Sequence, residues 1–201
     1  MNPEAVLNFS DGKRIVIELL PDVAFNTVCS FIYAAQQGVF DHHEIERIVP
    51  DNWVDFSYTG FGKRAGQYLI PWEHDLFPQK ELPIPEYGDV CMGGYGEMGE
   101  AGCEFFFPLR RCEEFVNSYP VFGKIQYGLD AVRALSSAET VPVMDFPIPG
   151  VVVNKPVHIP ELVKVELELH GTVYPEPVKK PMEEMPAPWK QFWENLSGMV
   201  Q

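Results

Sequence analysis

The sequence predicts a mainly β fold: a closed, eight-stranded antiparallel barrel capped by two helices, followed by a proline-rich C-terminal tail and a short last helix. Three observations predict it. Ser10-Asp11-Gly12 joins apolar runs at 5–9 and 13–20, and Asp-Gly between such runs marks a hairpin because glycine tolerates positive φ. Residues 163–170 alternate Val165, Leu167 and Leu169 with Lys164, Glu166 and Glu168, the period of a half-buried strand. The remaining apolar runs are short, bounded by turn formers and free of βαβ alternation. Antiparallel closure is the natural solution, since a barrel leaves no edge strands.

The elements follow in order. Pro21-Asp22 ends the second strand. A helix is expected over 26–37, where Val28, Phe31, Ile32 and Ala35 make one apolar stripe. Asn26 or Asp22 can cap it, and Gly38 suits a left-handed stop. Asp41-His42-His43-Glu44 reads as a solvated turn, with a metal site as the less favoured reading because no third ligand lies at a telling spacing. Arg47-Ile48-Val49-Pro50 is a short strand, and Asn52-Trp53 and 54–58 lead from it into a long irregular region. Residues 60–88 are irregular, with Tyr68-Leu69-Ile70-Pro71-Trp72-Glu73 as a segment whose apolar residues dock on the body. A loop of this length is functional or wraps the surface. Residues 120–125 form another strand, with Gly123 at a bulge or close contact. A short helix is expected over 128–136, and 141–160 is irregular and proline-rich.

Composition narrows the function classes. The chain has 201 residues, 46% apolar and 13% aromatic, enough for one core and an appendage. Asp and Glu outnumber Lys and Arg 29 to 15, a net charge of −14 that disfavours nucleic acid and anionic membrane as partners. No apolar run is long enough to span a bilayer, and no signal-peptide pattern opens the chain, so a cytoplasmic location is expected. Cys29, Cys91, Cys103 and Cys112 form no CxxC pair and read as buried thiols.

The most informative stretch is 88–107, GDVCMGGYGEMGEAGCEFFF. Its glycines, among them Gly93 and Gly94, allow close approach of another chain. In a strand, Phe106 faces opposite to Phe105 and Phe107, so the run can floor a pocket and feed the core together. With Arg47-Ile48-Val49-Pro50 upstream and Val121-Phe122-Gly123-Lys124 downstream, this block resembles the cyclophilin family of peptidyl-prolyl cis-trans isomerases. The resemblance spans about 14–171 and agrees with the barrel read from patterning.

The resemblance implies the rest of the site. It makes Arg47 the catalytic arginine, whose guanidinium is always charged and offers several donors; without it, a surface arginine in an ion pair is the plainer reading. Phe106 matches the aromatic floor of the proline pocket. Gly93 and Gly94 match positions where substrate backbone pairs with main chain. Tyr119 stands at a common pocket-wall histidine, and Phe115 at an apolar residue. Asn52 replaces an apolar pocket residue, with Trp53 beside it to compensate. Asp55 and Glu104 take the places of two glutamines. Carboxylates accept hydrogen bonds and donate none, so they can either position Arg47 or tie it up. Glu114 stands where drug-sensitive members carry tryptophan, which implies weak or absent cyclosporin binding. No cofactor and no metal are implied.

Two functions are open on this reading. One is an isomerase, with reduced activity, that aids proline-limited folding of unfolded proteins. The other is a cyclophilin-like module that binds proline-containing segments with little catalysis. A barrel whose acidic loops bind metal through His42, His43 and His74 is a third class with no fixed geometry. The division expected is a barrel over 1–172 and a tail over 173–201. In the tail, Pro175, Pro177, Pro181, Pro186 and Pro188 make a stiff linker. Trp189, Phe192, Trp193 and Leu196 then share one face of a short helix. Three turns are marginal alone, so this face must dock on its own barrel, on a second copy in a self-association, or on a foreign partner. The barrel could also grip Tyr174-Pro175, Glu176-Pro177 or Ala187-Pro188 of its own chain.

Overall fold

The computed structural model describes residues 1–148, 151–158, 160–180 and 187–198, without the side chains of 188 and 196–198. The first hairpin is β1 (Glu4–Phe9) and β2 (Arg14–Leu19). Gly12 turns it at a φ of 84°, and the Gly12 N–H donates to the Phe9 carbonyl at 3.0 Å. Alternation sends Ala5, Leu7, Ile15, Ile17 and Leu19 into the core. Then come α1 (Phe25–Gln36), β3 (Arg47–Val49), β4 (Trp53–Phe56), the single-turn α2 (Glu73–Leu76), β5 (Asp89–Gly94), β6 (Glu100–Pro108), β7 (Val121–Tyr127) and α3 (Leu129–Ser136). A small hairpin of β8 (Thr140–Pro142) and β9 (Asn154–Pro156) precedes β10 (Leu162–Glu168), and α4 (Ala187–Gly198) ends the described chain.

Eight of these strands form one sheet in the order β10-β1-β2-β7-β5-β6-β4-β3, and the pairs are antiparallel. The barrel is not fully laddered as expected. The ladder ends at β3 and β10, and the segment before β3 meets β10 at a short contact: His43 and Leu162 exchange N–H to carbonyl bonds of 2.8 and 3.0 Å, and the His42 N–H donates to the Val163 carbonyl at 3.1 Å. The sheet is therefore a curled half-barrel. Three-residue β3 is too short to continue the pairing, and Pro50 behind it has no N–H to donate.

The core is aromatic. Phe31 of α1 lies 5.0 Å from Phe40, 5.5 Å from Phe105 and 5.1 Å from Phe122, ring centre to ring centre. Phe56 stacks on Phe105 at 4.4 Å. Ala131, Val132 and Leu135 bury the inner face of α3. The anchoring role expected of 68–73 holds: Leu69, Ile70 and Glu73 are fully buried.

Several local expectations change. Neither Asn26 nor Asp22 caps α1; the N-cap position is Ala24, whose side chain has no cap bond to give. The carboxylate of Glu73, from the far loop, accepts from the N–H groups of Asn26 at 3.3 Å and Thr27 at 3.1 Å, and a negative charge is favoured at a helix N-terminus. The Thr27 hydroxyl lies 2.9 Å from Glu73 and 2.8 Å from Glu100. Burial first, and then Glu73, pushes the Glu100 carboxyl well above its usual range. A proton kept there supplies the second donor that one hydroxyl cannot. His43 is not in a solvated turn but fully buried beside Phe40 and Phe56, because its backbone pairs with β10. Burial lowers its pKa to about 3 and keeps it neutral. His42 instead meets Glu161 on the surface and His74 stacks on Trp72, so the three histidines sit in separate surroundings. The 141–160 region contains the β8–β9 hairpin, where a loop without strands was expected.

The tail follows the barrel surface. Asn26 and Val178 exchange two hydrogen bonds of 3.2 and 2.7 Å, and the Lys180 N–H donates to the Leu69 carbonyl at 2.7 Å. Tyr174-Pro175 and Glu176-Pro177 run beside α1, with Tyr174 near Phe25, so the barrel does not grip them in its cleft. Pro181, Pro186 and the side chains of Pro188 and Leu196 lie outside the described residues. On α4, Trp193 is 1% exposed and belongs to the main core, with Trp189 and Phe192 packed against it.

Candidate active site

One row of side chains across the sheet organises the site. Directly paired residues point to the same face. Arg47 on β3 pairs with Asp55 on β4, Asp55 with Phe106 on β6, Phe106 with Cys91 on β5, and Cys91 with Val121 on β7. This is the outer face, because Phe105 and Phe107 flank Phe106 and point into the core. The two-residue period adds Trp53 beside Asp55 and Glu104 beside Phe106. Phe106, Cys91 and Val121 form a separate apolar cluster, against which Trp53, Phe115 and Tyr119 pack. The Phe106 ring lies 6.2 Å from Trp53, 6.0 Å from Phe115 and 5.9 Å from Tyr119.

Arg47, Trp53, Asp55, Gly93, Gly94, Glu104, Phe106, Phe115 and Tyr119 all line one open cleft of about 400 Å³. These expected site residues are thus in one place, whereas Asn52, expected at a pocket position, lies on a turn outside the cleft, where it donates to the Pro50 carbonyl and accepts from Arg110. Ser57, Tyr58, Tyr95, Gly96, Val151 and Trp189 complete the lining and were missed. Ser57 was within reach, since it continues the alternation of Trp53 and Asp55. Val151 and Trp189 arrive from distant segments whose local sequence carries no signal for it.

Gly93 and Gly94 differ in role. The ladder between β5 and β7 ends at Cys91 and Val121, and Gly93 falls at the register shift between β5 and β6. That leaves an edge of the kind that takes an added extended chain. Gly94 is glycine for a further reason: a Cβ there would lie 2.2 Å from the Trp72 indole. Trp72 then donates from Nε1 to the Gly96 carbonyl at 2.8 Å and meets Tyr119 edge-on at 5.7 Å, which fixes that wall.

The charges are arranged unequally. Arg47 donates from Nη1 to Asp55 at 3.2 Å and from Nε to the Val152 carbonyl at 2.9 Å. Its guanidinium also lies 5.8 Å from the Trp53 ring centre. Burial pushes the Asp55 carboxyl up, against the opposing pull of Arg47. Glu104 does not bond to Arg47. It accepts from the Tyr58 N–H at 2.6 Å and from the Tyr95 hydroxyl at 2.8 Å. Burial first, then the Asp55 charge, raises its pKa to about 8. Glu114 is outside the cleft, paired with Arg110 on an exposed turn.

Glu104 therefore has a stability consequence. The folded state holds its proton more tightly than the unfolded chain, so stability is lost as pH rises from near the ordinary value of 4.5 to about 8. In Glu104→Gln the amide oxygen can accept from the Tyr58 N–H and the amide nitrogen can donate to the Tyr95 hydroxyl, so both contacts persist without the charge. Its melting temperature is expected to exceed that of the unaltered protein above about pH 6, with a flatter pH profile. Calorimetry across pH 4–9 checks this; a parallel pair of profiles would contradict it.

Comparison with known proteins shows the family. The family model described as cyclophilin type peptidyl-prolyl cis-trans isomerase/CLD matches residues 6–158. The chain belongs to the cyclophilin family of peptidyl-prolyl cis-trans isomerases. Among cyclophilin relatives, peptidyl-prolyl cis-trans isomerase B of Bacillus subtilis is 28% identical over 134 residues, 65% of this chain and 89% of that protein. The isomerase CYP18-2 of Arabidopsis thaliana is 26% identical over 69% of this chain and 83% of its own length. In fold, a Cryptosporidium parvum cyclophilin solved in the presence of the dipeptide Ala-Pro superposes with a TM-score of 0.62, over 82% of this chain and 98% of that one, at 15% identity. The cyclophilin match stops short of α4, which the aromatic face of Trp189, Phe192 and Trp193 attaches to the cleft.

Proposed function

We propose that the cleft binds X-Pro segments of unfolded or flexible chains and accelerates rotation about the bond before proline, with lower activity than a site built with glutamines. The observation that carries this is the register of Arg47 with the Phe106 floor inside one cleft. The uncatalysed barrier is about 18–20 kcal/mol because the amide C–N bond has partial double-bond character. A donor to the prolyl nitrogen weakens that resonance, and only stabilisation confined to the twisted state raises the rate. Arg47 carries five N–H donors. Two of them serve Asp55 and Val152, and the others supply the donor the reaction needs. Phe106, Phe115 and Tyr119 supply apolar walls for the proline ring. The dipeptide present with the Cryptosporidium relative supports a proline-containing ligand.

The same Arg47–Asp55 ion pair favours a second reading, a proline-binding module with little catalysis, because a guanidinium held by a carboxylate is less free to follow the rotating bond. Refolding separates the two. A protein whose refolding waits on proline takes tens of seconds or more. Added in small molar ratio, this chain is expected to shorten that phase in proportion to its concentration. An unchanged phase would exclude catalysis and leave the binding module.

A further inference from the structure

We propose that the cleft selects X-Pro segments carrying a lysine or arginine two residues from the proline, held by Glu104. This rests on the proposed function and names its substrate class. Glu104 and Phe106 are two apart on β6 and line the same cleft, so their Cα atoms are about 6.6 Å apart, the span of two residues of extended chain. A peptide that sets its proline on Phe106 and runs along the strand therefore brings a residue two positions away over Glu104.

Once ionised, the carboxylate at that point is unmatched. Two carboxylates and one guanidinium line the cleft, and the ion pair of that guanidinium is with Asp55. Glu104 has no ion-pair partner among the described residues and is only 5% exposed. Its bonds come from neutral donors, the Tyr58 N–H and the Tyr95 hydroxyl, and each carboxylate oxygen can accept another. Tyr58, Tyr95 and Trp189 line the adjacent wall, and aromatic faces attract a cation. A basic side chain entering here gains a charge-assisted bond and an aromatic wall. An acidic one meets Asp55 and Glu104 together.

This arrangement couples binding to pH. The charged groups acting on Glu104 are Asp55 from β4, which opposes its ionisation, and Arg47 from β3, which favours it. A cation favours the ionised form, so affinity for a basic peptide rises as pH climbs through about 8.

The test is a set of matched peptides with Lys, Leu or Glu placed two residues before or two residues after one proline. Affinity comes from NMR line shifts and turnover from exchange spectroscopy, at pH 6 and pH 9. For one of the two placements, the Lys peptide is expected to bind roughly tenfold tighter than its Leu counterpart at pH 9, the scale of a desolvated charge pair. The preference should shrink at pH 6 and vanish in Glu104→Gln. Equal binding of Lys and Leu peptides, with both still isomerised, would overturn the selectivity and leave the isomerase intact. A Lys preference that survives in Glu104→Gln and fades with salt would assign it to the net negative surface and overturn the role of Glu104. If no peptide bound or turned over, the function itself would fall. The pH comparison on the unaltered protein keeps the test decisive without the variant.

Discussion

Arg47→Ala is expected to lower the rate enhancement on an X-Pro peptide by about 10²–10³-fold, the usual cost of removing one transition-state donor. The fold should persist. Arg47 lies on an outer face, and its removal takes no atom from the main core. What it leaves is Asp55, buried and without its cation. Burial already pushes that carboxyl up, so it can take a proton in place of staying charged. Arg47→Lys should recover little activity, since one ammonium lacks the planar fork that reaches Asp55 and the Val152 carbonyl together. Exchange rates of a proline peptide, with an amide spectrum of each variant to verify folding, check both. An active Arg47→Ala protein would move catalysis to another group.

Trp193→Ala is expected to have the largest effect on stability. Burying a tryptophan is worth about 3–5 kcal/mol against alanine. Trp193 stacks on Phe61 at 4.1 Å and meets Tyr95 edge-on at 5.1 Å. A helix as short as α4 does not hold itself together in water. Loss of the anchor should therefore release it, so that the measured cost stops at the free energy of docking. Hydrogen exchange should show α4 amides losing protection while those of β5 and β6 keep theirs. Protected α4 amides in the variant would contradict this. Release would also withdraw Trp189 from the cleft, so Tyr95, which lies 4.7 Å from Trp189 and donates to Glu104, would change environment.

Legibility in the sequence followed the range of each interaction. The Asp11-Gly12 hairpin, the stripe on α1 and the alternation through Phe105, Phe106 and Phe107 are local patterns, and the structure keeps all three. The site was legible where a short motif carried it: Arg47, Gly93, Gly94 and Phe106 meet in one cleft with Asp55 and Glu104. The features that stayed hidden depend on residues far apart in the chain. Glu73 caps α1 from 46 or more positions away. Trp72 explains Gly94, and His43 is buried because its backbone happens to pair with Leu162. Glu104 was expected near Arg47, yet its bonds go to Tyr58 and Tyr95. No periodicity encodes which neighbour a buried carboxylate finds.

The central claim is that this cleft catalyses rotation about X-Pro bonds through Arg47. The most direct measurement is exchange spectroscopy on a short X-Pro peptide with the protein at small molar ratio, run side by side with Arg47→Ala. Faster cis/trans exchange that disappears in the variant is the predicted result. Peptide line shifts without any acceleration would contradict it and make the cleft a proline-binding module.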